Sequence, residues 1–196
     1  MAQPLDTAAL EQLFTQARSH NGWLPRPVSD EQLQALYDLF KHGPTANNCF
    51  PTRVVFVRSD EAKQRLVPAL MGANGDKVMT APVTAIIAYD TQFFEWLPRL
   101  FPAYDAGAPL RENAQLAQTV ALRNGSLQGA YLMLAARALG LDCGPMSGFN
   151  NAQVDAEFFP DGRWRSNFLC ALGYGDPQAL RPKGPRPAFD EVCQII

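Results

Sequence analysis

The side chains able to do chemistry are scattered along this 196-residue chain. In Ala17-Arg18-Ser19-His20-Asn21-Gly22-Trp23, Arg18 and Ser19 bring together a guanidinium and a hydroxyl. With a backbone N–H these groups suit a phosphate dianion, although the stretch also reads as the polar end of a helix. Gly43-Pro44-Thr45-Ala46-Asn47-Asn48-Cys49-Phe50-Pro51 offers amides that both donate and accept, or a plain turn built on Gly, Pro and Asn. Asn74-Gly75-Asp76-Lys77 precedes an apolar run. A lysine stabilises an anion held close to it, and is otherwise a solvated surface cation. The glycines and proline of Leu139-Gly140-Leu141-Asp142-Cys143-Gly144-Pro145-Met146-Ser147-Gly148-Phe149 fit a helix cap followed by a strand, and Lys183 and Arg186 add two cations to a Pro-rich tail.

Other chemistries find little support. Cys49, Cys143, Cys170 and Cys193 lie far apart, and His20 and His42 are the sole histidines. No spacing suits a zinc site or a disulfide framework, and Cys143 and Cys170 read as small buried hydrophobes. No GxGxxG or GxxxxGK run follows a strand. A formal net charge of −2 gives no electrostatic reason to expect nucleic acid or an anionic membrane. No apolar run reaches the roughly 20 residues of a membrane span, and the N-terminus has no charged-then-apolar leader pattern. A cytoplasmic protein with reduced thiols is expected.

Helices and strands must position these residues. Leu5, Ala9, Leu10, Leu13, Phe14 and Ala17 fall at three- and four-residue intervals, predicting a first helix. Ser29 with Gln32 predicts a capping box, opening a second helix whose buried face is Leu33, Leu36, Tyr37 and Phe40. Arg53–Arg58 reads as a strand, Asp60 as the cap of a helix through Leu70, and 75–79 as a short helix. Val83–Tyr89 is the strongest strand signal. Aromatic residues cluster at Phe93, Phe94, Trp96, Phe101 and Tyr104. A long helix from Leu110 to Leu139, apolar on nearly all sides near Ala130, predicts a buried central element closed by Gly140. Strands are expected at Leu141–Cys143 and Asn167–Gly173, and an extended arm at Asp176–Pro187. Strands separated by uneven helices predict an α+β fold with a mixed sheet, in one domain over residues 1–196 with 176–196 as a C-terminal arm. Composition and periodicity alone leave the function open.

Together, the five stretches resemble the FMN-dependent nitroreductase superfamily, in order and placement from residue 18 to residue 192. The first resembles an Arg-Ser-x-basic pattern that grips the FMN phosphate, with Asn21 in place of the basic residue. The second resembles Ala-Pro-Ser-x-x-Asn-x-Gln-Pro, a loop beside the isoalloxazine ring, with Phe50 replacing Gln. The fourth is similar to Leu-Gly-Leu-x-x-x-Pro-x-x-Gly-Phe, whose backbone passes the flavin N5; Ser147 replaces an acidic residue there. Asn74 and Lys77 match positions at the flavin's pyrimidine side, Asn124 a position near the ring, and Lys183 and Arg186 a basic pair closing over the phosphate.

The resemblance implies a nitroreductase-like fold with the long helix at its centre and the arm exchanged in a homodimer. It implies bound FMN, with NADPH or NADH as donor in a ping-pong reaction. The cofactor set it implies is Arg18, Ser19, Asn21, Pro44, Thr45, Ala46, Asn48, Asn74, Lys77, Asn124, Pro145, Met146, Ser147, Gly148, Lys183 and Arg186. No side chain is assigned a catalytic role. Ser19–Leu24, Cys49–Arg53 and Pro185–Val192 are similar to the malonic semialdehyde reductase branch of pyrimidine degradation, which implies an aldehyde acceptor reduced to 3-hydroxypropionate. A broad nitroaromatic or quinone reductase is the alternative, and a non-catalytic flavin-binding protein a minor one.

Overall fold

The computed structural model describes residues 3–196. Its strands are β1 (Thr52–Val57), β2 (Val83–Asp90), β3 (Asp142–Met146) and β4 (Trp164–Gly173), forming one sheet in the order β1-β2-β4-β3. Every pairing between these strands is antiparallel. The parallel component of the expected mixed sheet is a single isolated bridge, Ser19 to Cys143.

The helices are α1 (Thr7–Leu10, running into a π turn at Glu11–Thr15), α2 (Asp30–Phe40), α3 (Asp60–Leu66), α4 (Asn74–Thr80), α5 (Leu97–Leu100), α6 (Ala108–Glu112), α7 (Ala114–Ala138), α8 (Asn151–Phe158) and α9 (Phe189–Val192). All eight residues of β2 are buried, which explains its unbroken apolar run. Ile86 and Ala88 pack on one face of the sheet with Val78, Val154 and Leu169. Ala85 and Ile87 pack on the other with Leu36, Phe40, Leu132 and Ala136. This is the two-residue alternation of a strand covered on both sides. Each wholly buried isoleucine stabilises the fold by about 1.5–3 kcal/mol.

Local signals account for most element ends. Ser29 and Gln32 make the capping box reciprocally at α2. Gly140, at φ 74°, closes α7. Three expectations are corrected. The cap of α3 is Ser59, which accepts from Ala62 N, while Asp60 is its first helical residue. The long helix is broken at Asn113, whose extended backbone and side-chain bond to Leu116 N start α7 afresh after α6. The first helix is shorter than its pattern, and its apolar stripe stays outward: Leu5, Leu10 and Phe14 are exposed. On α7 the inner face is buried through Ala121, Gly125, Leu132 and Ala136, but Leu116, Leu122, Leu127 and Tyr131 are exposed. The central helix is therefore covered by this chain on one side.

No helix among the described residues is long and apolar enough to cross a membrane, and no His, Cys, Asp or Glu cluster suits a metal ion. Cys49, Cys143 and Cys170 are buried free thiols.

Candidate functional site

After the π turn the chain runs along the free edge of β3. Ser19 bridges to Cys143, and the His20 N–H donates to the Cys143 carbonyl at 2.9 Å. The C-terminal arm returns over this segment. There the Arg18 guanidinium donates to the Arg181 carbonyl, and the Lys183 ammonium donates to the Thr15 carbonyl. Between them lies a pocket of about 410 Å³ lined by Arg18, Ser19, Asn21, Arg137, Arg181, Lys183 and Arg186. Five of its lining residues are cations, and none is a carboxylate. The ion pairs among the described residues all lie elsewhere, so none of the five has a carboxylate partner. A cation-lined concavity of this kind is arranged for an anion.

The segment is held by close packing that glycine alone permits. A Cβ on Gly175 would fall 1.8 Å from His20 Nδ1, and one on Gly144 would fall 2.5 Å from both the His20 carbonyl and Lys77 Cε. His20 is buried, its Nε2 lies 3.3 Å from Asp142 Oδ1, and Asp142 also accepts from the Gly175 N–H at 2.9 Å.

Gly144 is also where Lys77 joins the site. Lys77 comes from α4, is 5% exposed, and donates to the Pro145 carbonyl at 3.4 Å. It too has no carboxylate partner among the described residues. Burial pushes its ammonium below the usual lysine range, the nearby Cys170 opposes the shift, and the charge of Arg181 adds to it. On the same helix, Asn74 Nδ2 donates to the Gly148 carbonyl at 2.9 Å. The Met71 N–H donates to the same carbonyl, also at 2.9 Å. The Pro145–Gly148 backbone is thus pinned beside α4. Met146 turns its side chain into the core, so its backbone alone is available there, while Ser147 is exposed.

The remaining expected residues lie apart from that pocket, none of them lining it. Asn124, on α7, accepts from the Ala46 N–H at 2.8 Å and donates to the Val120 carbonyl at 2.8 Å. It is buried, and both ends of its amide are engaged, so within this chain it holds the 44–48 loop onto the helix. The Thr45 hydroxyl accepts from the Phe50 N–H at 3.3 Å, and Asn48 Nδ2 donates to the Leu100 carbonyl at 3.0 Å. Asn47, Asn48 and Phe50 all have positive φ. For a bulky residue such as Phe50 that is strained backbone, a feature that clusters at ligand sites. Pro44 and Ala46 are exposed beside it.

Two pocket residues escape sequence reasoning. Arg181 stands two residues before Lys183 in the same Pro-rich run, so it was legible as a third cation of the arm. Arg137 carries no local signal, because a basic residue in the last turn of a helix is ordinary.

The Nitroreductase family pattern matches residues 14–174. A Rhodopseudomonas palustris protein provisionally named NADH dehydrogenase/NAD(P)H nitroreductase is 55% identical over 196 residues, covering 100% of both chains. A Ralstonia pickettii protein with the same provisional name, HadB, is 57% identical over 192 residues, covering 96% of this chain and 98% of its own. Among solved structures, the Bacillus subtilis nitroreductase ydfN superposes with a TM-score of 0.88 at 23% identity, covering 97% of this chain and 100% of its own. An Exiguobacterium sibiricum nitroreductase in complex with FMN gives a TM-score of 0.85 at 21% identity over 100% of both chains. The likeness to these structures is one of fold.

Proposed function

The chain belongs to the nitroreductase family, and from that premise we propose that it is an FMN-dependent NAD(P)H oxidoreductase, active as a homodimer, whose acceptor is malonic semialdehyde. The observation that carries the flavin reading is the carboxylate-free cationic pocket, whose Ser19 bridges to Cys143 on β3, next to Gly144 and a further unpaired cation outside the pocket, Lys77. Its donor set fits a phosphate at one end and an electron-rich ring edge at the other. Bound FMN supplies hydride chemistry between a nicotinamide and an acceptor, which no side chain of the protein can provide.

The residues' own parts follow from their positions. Arg18, Ser19, Lys183 and Arg186 hold the phosphate, with Asn21 as a neutral neighbour. Asn74 fixes the Gly148 carbonyl and so shapes the Pro145, Met146, Ser147 and Gly148 backbone, which would border the flavin ring. Lys77, desolvated and unpaired, favours the more negatively charged reduced state over the oxidised one. Pro44, Thr45, Ala46 and Asn48 belong to a loop that Asn124 ties to α7 through Ala46, outside this pocket; in the homodimer they complete the partner's site. The dimer reading draws on the surfaces this chain leaves bare. These are the outward stripe Leu5, Leu10 and Phe14, the outer face of α7, and an arm ending in exposed Phe189, Val192, Ile195 and Ile196. The outer edge of β1 is likewise unpaired in the sheet. An arm exchanged between protomers would cover such surfaces.

The acceptor rests on the likeness of Ser19–Leu24, Cys49–Arg53 and Pro185–Val192 to the semialdehyde reductase branch. The relatives' provisional names favour a second reading, a reductase of nitroaromatics or quinones. Steady-state oxidation of NADPH and NADH against malonic semialdehyde, a nitroaromatic and a quinone decides between them. A kcat/KM highest for the semialdehyde supports the proposal, and one highest for either of the others replaces it. Purified protein should be yellow, carry about one FMN per subunit, and scatter light as a dimer. A colourless protein that does not take up FMN would end the flavin reading, and an FMN-loaded protein that oxidises no nicotinamide would make it a binding protein.

A further inference from the structure

Asn21 stands where the family resemblance calls for a basic residue, yet the pocket it lines is crowded with charge. Part of that charge comes from Arg137, in the last turn of α7. Both ends of this residue are tied to the opening segment. Its Nη1 donates to the Leu13 carbonyl at 2.9 Å, and its own carbonyl accepts from Gln12 Nε2 at 2.6 Å. Its Nε is closed off from water with no acceptor, and no carboxylate pairs with it among the described residues.

A guanidinium kept merely to tether Leu13 would gain from a counter-ion. Here its nearest company in the pocket is Arg18, Arg181, Lys183 and Arg186, whose charges repel it. A dianion at their centre turns that repulsion into attraction, and a guanidinium anchored through one nitrogen is already oriented when the anion arrives. We propose that Arg137 is a phosphate-binding residue that supplies, from the central helix, the positive charge absent at Asn21. The inference rests on the FMN reading above, and concerns which residue balances the phosphate. It makes the pocket a junction of three segments: the turn after α1, the end of α7 and the arm.

Riboflavin, which shares the ring and ribityl chain but has no phosphate, separates this role from a structural one. Full-length protein freed of flavin is titrated with FMN and with riboflavin, following the quenching of flavin fluorescence. Arg137→Met should weaken FMN binding about tenfold to hundredfold, the loss of one charge-assisted contact, and leave riboflavin affinity unchanged. Adding Asn21→Lys to Arg137→Met should recover most of the FMN affinity, because it returns the charge to the other side of the same pocket. Equal weakening for both flavins, or none for either, overturns the proposal. Should Arg137→Met fail to fold, Arg137→Lys keeps the charge but loses the fork, and an FMN-to-riboflavin affinity ratio identical to the parent's would overturn the proposal equally. A parent protein that binds FMN no better than riboflavin would overturn the phosphate reading itself, and this inference with it.

Discussion

Gly175→Ala adds one methyl group at the point where the polypeptide after β4 meets the segment carrying Arg18, Ser19 and Asn21. The new Cβ would sit 1.8 Å from His20 Nδ1, 2.2 Å from Cε1 and 2.2 Å from Cγ. Reaching ordinary contact requires the ring or the Gly175 backbone to move by well over about 1 Å. Neither is free to do so. The ring is buried, 3.3 Å from Asp142 through Nε2 and 6.1 Å between centroids from Trp23. The Gly175 N–H is bonded to Asp142, and its backbone bridges to Trp23. Overpacking of this kind costs about 1–3 kcal/mol. For a chain of this size each kcal/mol moves Tm by about 2–4 °C, so the variant should melt roughly 2–12 °C below the parent. Because His20 is flanked by Ser19 and Asn21, FMN affinity should fall with it. Differential scanning fluorimetry, with and without FMN, measures both. The double variant His20→Ala/Gly175→Ala should melt close to His20→Ala alone, since the methyl group then has room. A Gly175→Ala protein with the parent's Tm, or penalties that simply add in the double variant, would refute the packing argument.

Lys77→Met should lower the midpoint potential of the bound flavin and slow its reduction by NAD(P)H, with a milder loss of FMN affinity, because a buried unpaired cation favours added negative charge differentially; dye-linked potentiometry and stopped-flow spectroscopy check this, and unchanged values remove Lys77 from the site. Arg18→Ala and Arg186→Ala should each weaken FMN binding by about 1.5–3 kcal/mol while hardly changing the Tm of the flavin-free protein, and calorimetric titration that finds both at the parent's affinity puts the phosphate elsewhere. Burial pushes the Cys49 thiol from 9.0 up to about 11. The folded state therefore keeps a proton that the unfolded chain has lost, so this contribution to stability is whole below pH 9 and declines as pH rises to about 11. Urea unfolding across that range should fall more steeply for the parent than for Cys49→Ala, and parallel curves would count against the shift.

What could be read from the sequence was what neighbours in the chain decide. The Ser29/Gln32 capping box, the stop at Gly140 and the apolar run of β2 depend on side chains within one turn or one strand, so local chemistry is enough to place them. The five stretches were legible for the same reason, each being a contiguous run. Local reading failed where a distant contact outweighs a weak pattern. Helix α8, Asn151–Phe158, has no pronounced apolar face, so periodicity does not mark it; its N-cap Asn150 and the packing of Val154 into the core settle it. The antiparallel order of the sheet depends on which strands meet, and strand periodicity is silent on direction. Tertiary structure alone brought Arg137 and Arg181 to Arg18, from segments that no spacing rule connects, and gave Asn124 its distant partner in Ala46. A pocket's charge is a sum over side chains that converge in space, whereas a motif records residues that are adjacent along the chain.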